Sequence, residues 1–278
     1  MPDDGFVALP SFMSVFIRAV RPLLANPAEM GEIIQGTGFV LRHQDRDYLI
    51  TNGHIVTGRS RVGDAPLGCA ALPTHLEVAL PMSGSGFGTS DLELLGLSRR
   101  RLELYDEDGR ARWFIHPTFR RVADVVALPL DEDGRMIGPG ERITLMPYSL
   151  GPSDPSPTLE PTTDLSVVGF PFGFTGGAGS AIWVRGTIAS EPDLPFLGEP
   201  CFLVDARSRD GQSGSPVIQF SPGSTGGMGE ADTPPSWPLI GVYSGRITLQ
   251  SDLGRVWRWT VLKTIVESRI RDTLGPDD

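Results

Sequence analysis

Apolar side chains along this chain come in short runs, many alternating with polar ones, and they seldom recur at the spacing of a buried helix face. Alternation places neighbouring side chains on opposite faces of an extended backbone, so these runs predict half-buried strands. The first set opens at residues 12–24 and continues through 36–41 and 47–51, a hairpin around a charged turn. It resumes at 92–95, 101–105 and 112–115, and ends in the run Val125-Val126-Ala127-Leu128. Residues 62–90, with Pro66, Pro73, Pro81 and the run Ser83-Gly84-Ser85-Gly86, read as loop. A second set follows at 164–170, 181–190, 201–205, 216–220, 239–244 and 256–260. Each set is large enough for one small barrel. Only at 260–274 does the period change: Val261, Leu262, Ile265, Val266 and Ile270 stand at helical spacing and predict a closing amphipathic helix.

Composition sharpens this picture. Thirty-four Gly and 25 Pro among 278 residues punctuate the strands, as expected of an all-β chain with many turns. From 131 to 163 the chain is so rich in Pro, Gly, Ser and acids that it cannot bury enough apolar area to order itself. We therefore expect a domain at 12–135, a linker at 136–160 and a second domain at 161–278, with a further flexible insertion at 221–236. A net charge of -10 argues against nucleic acid or an anionic membrane surface as the main partner. Arg99-Arg100-Arg101 is followed at once by acids and reads as a solvated face.

Cys69 and Cys201 allow a single bridge, and both are expected to be free thiols. His and Cys nowhere show metal-ligand spacing, so no metal or other cofactor is expected. Met1-Pro2-Asp3-Asp4 is acidic where a secretory leader is basic, and the apolar stretch after it is broken by Arg18 and Arg21. The expectation is a cytoplasmic chain with no membrane span.

Candidate chemistry centres on Ser208-Arg209-Asp210-Gly211-Gln212-Ser213-Gly214-Ser215-Pro216. A serine between glycines ahead of an apolar run describes a tight turn with one hydroxyl, Ser213, at its apex. Gly211 permits a backbone that aims its own N–H and that of Ser213 at one developing oxyanion. A serine nucleophile needs a base, and His43, His54, His75 and His116 all precede it, which excludes the order of the α/β-hydrolases. His54 ends an apolar strand in a short polar turn, whereas His43 lies in a charged hairpin and His75 and His116 in proline-flanked loops. The base needs an orienting acid, and Asp124 opens a run of Val, Ala and Leu. Burial there would cost several kcal/mol without a partner.

These three boxes, in this order, resemble those of trypsin-like, chymotrypsin-fold serine proteases. Thr51-Asn52-Gly53-His54 resembles Thr-Ala-Ala-His, Asp124-Val125-Val126-Ala127-Leu128 resembles Asp-Ile-Ala-Leu, and Gly211-Gln212-Ser213-Gly214-Ser215-Pro216 resembles Gly-Asp-Ser-Gly-Gly-Pro. Val168-Gly169-Phe170-Pro171-Phe172-Gly173 and Leu239-Ile240-Gly241-Val242-Tyr243-Ser244-Gly245 resemble second-barrel elements of bacterial HtrA-type proteases, here without the PDZ domain those usually append. The Gly-x-Ser-Gly-Ser-Pro form also resembles bacterial glutamyl endopeptidases. The resemblance implies two six-stranded antiparallel β-barrels with a cleft between them and a C-terminal helix.

It further implies a serine endopeptidase acting on protein or peptide through an acyl-enzyme. Ser213 would be the nucleophile, His54 the base, Asp124 its orienter, and the N–H groups of Gly211 and Ser213 the oxyanion hole. Tyr243-Ser244-Gly245 would pair with the extended substrate. Arg207, Ser208, Ser244 and Arg246 would line the pocket for the acyl-side residue. That leaves two preferences open: Glu or Asp held by an arginine, or a small residue such as Ala, Val or Ser. Gln212 replaces the aspartate that pairs with a freed N-terminal amine in trypsin-type zymogens, so activation by trimming is not expected. The alternative function is a latent or non-catalytic binding module on the same fold, with an activating partner compatible with the first form; an esterase is a minor third reading.

Overall fold

A computed structural model describes residues 8–61, 63–67, 71–83, 94–130, 145–150, 159–223, 234–248 and 250–276. One turn of helix, α1 (Pro10–Met13), leads into β1 (Ser14–Pro22). The hairpin of β2 (Met30–His43) and β3 (Arg46–Thr51) turns on Gln44 and Asp45, both at positive φ. A short helix, α2 (Gly53–Thr57), follows, and then β4 (His75–Ser83), β5 (Leu94–Glu103), β6 (Phe114–Ile115), β7 (Val126–Pro129) and β8 (Tyr148–Ser149). The second half comprises β9 (Asp164–Gly169), β10 (Ile182–Ile188), β11 (Cys201–Ala206), β12 (Pro216–Ile218), β13 (Leu239–Arg246), β14 (Leu253–Arg258), α3 (Trp259–Ser268) and β15 (Ile270–Arg271).

The second half closes as expected, into a six-stranded barrel in the order β10-β11-β14-β13-β12-β9. Among the described residues the first half shows no such closure. Its strands form an open nine-stranded sheet, β15-β6-β7-β3-β2-β1-β4-β5, with β8 parallel to β2. The reason lies at β6, whose free edge is taken by β15 (Ile270↔Ile115) and not by β5. Among the described residues no ladder joins β5 to β6; the segment between them is a turn closed by the bridge Tyr105↔Ala111 and by bonds from Arg112 N–H to the Leu104 carbonyl and from Asp106 N–H to the Arg110 carbonyl.

Two further expectations are corrected. Residues 75–83, read as loop, form β4, whose Leu76, Val78 and Leu80 are buried in alternation. Pro81 disguised this strand; it lies beyond the β1 ladder, which ends at Ala79, so its missing N–H leaves no gap on that side. The final helix stops at Ser268, because Arg269 takes a left-handed conformation (φ 50) and returns the chain to β6. Ile270, placed on the helix by its spacing, is therefore in a strand. Of the expected linker, 145–150 is described in part as β8; most of the rest, like residues 92–93 and Cys69, lies outside the described residues. Cys201 is buried and free. His43, in the charged hairpin, is nonetheless buried, with Nε2 3.6 Å from Glu267.

Three cores hold the molecule. One lies inside the first sheet around Ile17, Leu49 and Trp113; one fills the barrel around Val167, Phe202 and Val256. The third joins the halves: Val261, Leu262, Ile265 and Val266 of α3 pack with Phe39, Tyr48 and Val125 on one side and Val168 and Trp257 on the other. The C-terminal strap is then pinned by Asp272, which is 6% exposed and accepts Trp113 Nε1–H (3.2 Å) and Arg121 Nε–H (3.0 Å). Asp272→Ala leaves both donors without their acceptor, and we expect a loss of about 1–3 kcal/mol. The measurement is a lower urea midpoint at unchanged m-value; an unchanged midpoint would show that the strap is held by β15 pairing alone.

Candidate active site

Three elements place one acid and one histidine together. β3 ends at Thr51, Asn52 stays extended (φ -83, ψ 151), and α2 begins at Gly53. This turn lifts His54 out of the sheet toward the segment that precedes β7. Asn52 is buried, and its Nδ2 donates to the Asp124 carbonyl (2.7 Å), tying the two segments together. Gly53 eases that approach: a Cβ there would stand 3.1 Å from Asp124 Oδ1 and would press the carboxylate back by a few tenths of an ångström.

Asp124 is 2% exposed, so its charge must be met by donors. Three meet it. The backbone N–H of His54 donates to Oδ1 (2.9 Å), the His54 ring bonds through Nδ1 to Oδ2 (2.7 Å), and Ser244 Oγ donates to Oδ2 (2.6 Å). Burial alone would push the Asp124 carboxyl up. The charge of His54, with the bonds from its ring, from Ser244 and from its backbone, outweighs burial and holds the carboxyl below its usual range. With Nδ1 committed to the acid, Nε2 is the nitrogen left for proton transfer.

Ser213 comes from the barrel half, in the loop between β11 and β12. Gly211 (φ 91) and Gly214 (φ 87) flank it in conformations open to glycine. A Cβ on Gly211 would lie 2.4 Å from the Phe170 carbonyl, and one on Gly214 2.0 Å from the Thr37 carbonyl. Thr37 in β2, fully buried, clamps this loop from the other half. Its N–H donates to the Ser213 carbonyl (2.8 Å), its Oγ1–H donates to the Gly211 carbonyl (2.7 Å), and its Oγ1 accepts Phe170 N–H (3.1 Å). Phe172 N–H holds the Asp210 carbonyl (2.6 Å). Both carbonyls that could fold back over Ser213 are thus engaged elsewhere, and the N–H groups of Gly211 and Ser213 donate to no described residue. Among the described residues no hydrogen bond joins Ser213 Oγ to His54; such contacts commonly tighten only when substrate binds.

The structure therefore brings together His54, Asp124, Ser213, Gly211, Ser244 and Gly245, the last so close that a Cβ on it would stand 3.8 Å from Ser213 Oγ. Ser208 is buried and hydrogen-bonds through Oγ to the Tyr243 hydroxyl, whereas Arg207 is exposed and Arg246 half-buried. His75 bonds Thr74 Oγ1, and His116 Nδ1 accepts the N–H groups of Thr118 and Phe119 (3.2 and 3.1 Å), so neither joins Asp124. Sequence reasoning missed Thr37, Asn52 and Phe172. Only Thr37 carried a signal: a threonine between two glycines inside an apolar strand. Among the described residues no group of His, Cys, Asp and Glu could hold a metal ion.

A carboxyl depressed on folding contributes stability above its unfolded value and loses it as pH falls through the folded one. The gap in urea midpoint between the native protein and Asp124→Asn is therefore expected to narrow on acidification below about pH 4. A gap independent of pH would show that Asp124 gains nothing from ionisation in the folded state.

A family model described as a trypsin-like peptidase domain matches residues 36–228. No curated protein sequence matches significantly. Among solved structures, the chain is similar to a serine endoprotease from Yersinia pestis, with 13% identity and a TM-score of 0.49, covering 94% of this chain. The alignment spans only 63% of that protein's length. It is also similar to a protease from M. tuberculosis: 16% identity and a TM-score of 0.44 for the active form, covering 96% of this chain and 85% of that one, and 17% and 0.42 for an inactive form, covering 93% and 88%. The family match runs from the strand that carries Thr37, through His54 and Asp124, to a point beyond Ser213, and the chain belongs to the trypsin-like peptidase family.

Proposed function

We propose that this protein is a serine endopeptidase that cleaves peptide bonds through His54, Asp124 and Ser213. The observation that carries the reading is the closure around Asp124: a fully buried carboxylate that grips His54 by backbone and ring and is completed by Ser244, next to the glycine that borders Ser213. A buried charge so arranged fixes one imidazole tautomer, with Nδ1–H toward the acid and Nε2 free to take a proton.

In the reaction Ser213 Oγ attacks the substrate carbonyl carbon as His54 Nε2 takes the hydroxyl proton. The carbonyl oxygen becomes an oxyanion and receives hydrogen bonds from Gly211 N–H and Ser213 N–H, which donate to no described residue. Collapse breaks the C–N bond, and His54 returns the proton to the leaving amine. Water, deprotonated by the same imidazole, then hydrolyses the acyl-enzyme and restores Ser213. The substrate backbone runs beside Ser244 and Gly245, where β13 bulges away from β14 between Tyr243 and Arg246. A binding module with a collapsed oxyanion loop would need the Asp210 or Gly211 carbonyl turned onto those donors, and Phe172 and Thr37 hold both away.

Ser213→Ala is expected to abolish hydrolysis and labelling by an alkyl fluorophosphonate while leaving the urea midpoint in place; Asp124→Asn should reduce kcat by about 10⁴-fold. Labelling that persists in Ser213→Ala, or near-normal turnover in Asp124→Asn, would overturn these assignments. Gln212 bears on activation: it is fully buried and its Oε1 accepts Arg209 N–H (2.8 Å), so the loop is braced by its own amide. The chain starting at Met1 is therefore expected to titrate with the label as fully as forms trimmed before β1. A strict need for trimming would remove Gln212 from this role.

A further inference from the structure

β13 passes Ser213 with its side chains on alternate sides. Ser244 turns to Asp124, and Gly245 faces Ser213 across a slot: of the described residues beyond its chain neighbours, Ser213 Oγ alone comes within 4 Å of where a Cβ would start, at 3.8 Å. Consider a peptide extended along this segment, its carbonyl carbon on Ser213 Oγ and its oxygen at the N–H groups of Gly211 and Ser213. Its acyl-side side chain must then enter between β13 and the loop 207–212, the two walls that flank Ser213.

Those walls are already joined below the slot. Ser208, 1% exposed, and Tyr243, 2% exposed, share a hydrogen bond between their hydroxyls. The Tyr243 ring lies flush on Gly254, where a Cβ would stand 2.3 Å from Cε2 and 2.7 Å from the hydroxyl oxygen. The hydroxyl bond and burial hold the ring, and the backbone that carries it is fixed as well. Gly214 N–H donates to the Tyr243 carbonyl and Tyr243 N–H to the Ser215 carbonyl, both at 2.9 Å, so its backbone is tied to the two residues after Ser213. Burial pushes the Tyr243 hydroxyl up in pKa, against the opposing bond from Ser208, so the floor is neutral.

We infer that this site cleaves after Gly, Ala or Ser, and that Tyr243 is the residue that sets this limit, by filling the space a larger acyl-side residue would need. The inference rests on Ser213 being the nucleophile. Tyr243 and Ser208 carry no charge of their own to meet the end of a Lys, Arg or Glu side chain, and a side chain that long, or as wide as Leu or Phe, would overlap the ring before passing it. Between the two preferences left open by the sequence, an acidic or a small residue, depth decides for the small one.

The test uses the full-length protein and fluorogenic peptides that differ only in the acyl-side residue: Gly, Ala, Val, Leu, Phe, Glu and Lys. We expect kcat/KM to be greatest for Gly and Ala and to fall by about 100-fold for Leu and Phe. Tyr243→Val should raise cleavage after Leu and Phe by about tenfold relative to Ala. Tyr243→Phe, which keeps the ring and loses only the hydroxyl, should retain the small-residue preference. The unmodified protein decides the question even where Tyr243→Val does not fold. Equal kcat/KM after Ala and after Leu, Phe, Glu or Lys, with Ser213 still labelled by an alkyl fluorophosphonate, overturns this inference alone. Absence of both labelling and hydrolysis overturns the nucleophile reading and this inference with it.

Discussion

One buried threonine holds the two halves in register. Thr37 sits in β2 of the open sheet, yet its N–H and hydroxyl are spent on the carbonyls of Ser213 and Gly211, and its own carbonyl accepts Thr51 Oγ1 (2.8 Å) just ahead of α2. The same residue thus touches the segment that launches His54 and the loop that carries Ser213. Its fit explains the glycines around it: on Gly36 a Cβ would stand 3.1 Å from the Ser213 carbonyl, on Gly38 2.7 Å from the Ile50 carbonyl, and on Gly214 2.0 Å from the Thr37 carbonyl. Backbone-to-backbone approach this close excludes side chains, so the polypeptide itself forms the joint.

The buried charge of Asp124 depends on that joint. Two of its donors belong to the first half, but Ser244 belongs to the barrel, and the carboxylate is fully satisfied only when the halves meet. In a low-dielectric interior an ionised group missing one donor is costly, so the electrostatics and the packing favour the same arrangement. The apolar core around α3 supplies the non-directional part of the same contact, and β15 carries the chain back to the sheet it left at β8.

A site built at such a joint inherits its rigidity. The loop 207–212 is braced by Thr37 from one side, by Phe172 N–H from another and by Gln212 from within, while Tyr243 stiffens the wall opposite. Preformed donors of this kind need little reorganisation as charge develops on a reacting oxygen. The same stiffness bears on what can be accommodated beside Ser213, because the Tyr243 ring is buried and bonded at its hydroxyl.

The residues by themselves determined much of this. Alternating apolar runs predicted the strands, and the six of the barrel closed as counted; an acid set in Val-Ala-Leu sequence and a histidine at a strand end pointed to Asp124 and His54 because each is a local anomaly in its run. What only the tertiary structure decided was everything set by partners distant in sequence. Among the described residues the first sheet stays open, and the edge of β6 is taken by β15, more than 100 residues away in sequence. β4 was hidden because Pro81 reads as a breaker unless one knows that the ladder with β1 ends at Ala79, before it. Thr37, Asn52 and Phe172 are ordinary polar and aromatic residues whose roles exist only against carbonyls brought to them by folding. Tyr243 read as a strand residue, and the floor it forms depends on Ser208 and Gly254 lying on either side of its ring. Local periodicity encodes which face a side chain takes; which group it meets there is fixed by long-range packing.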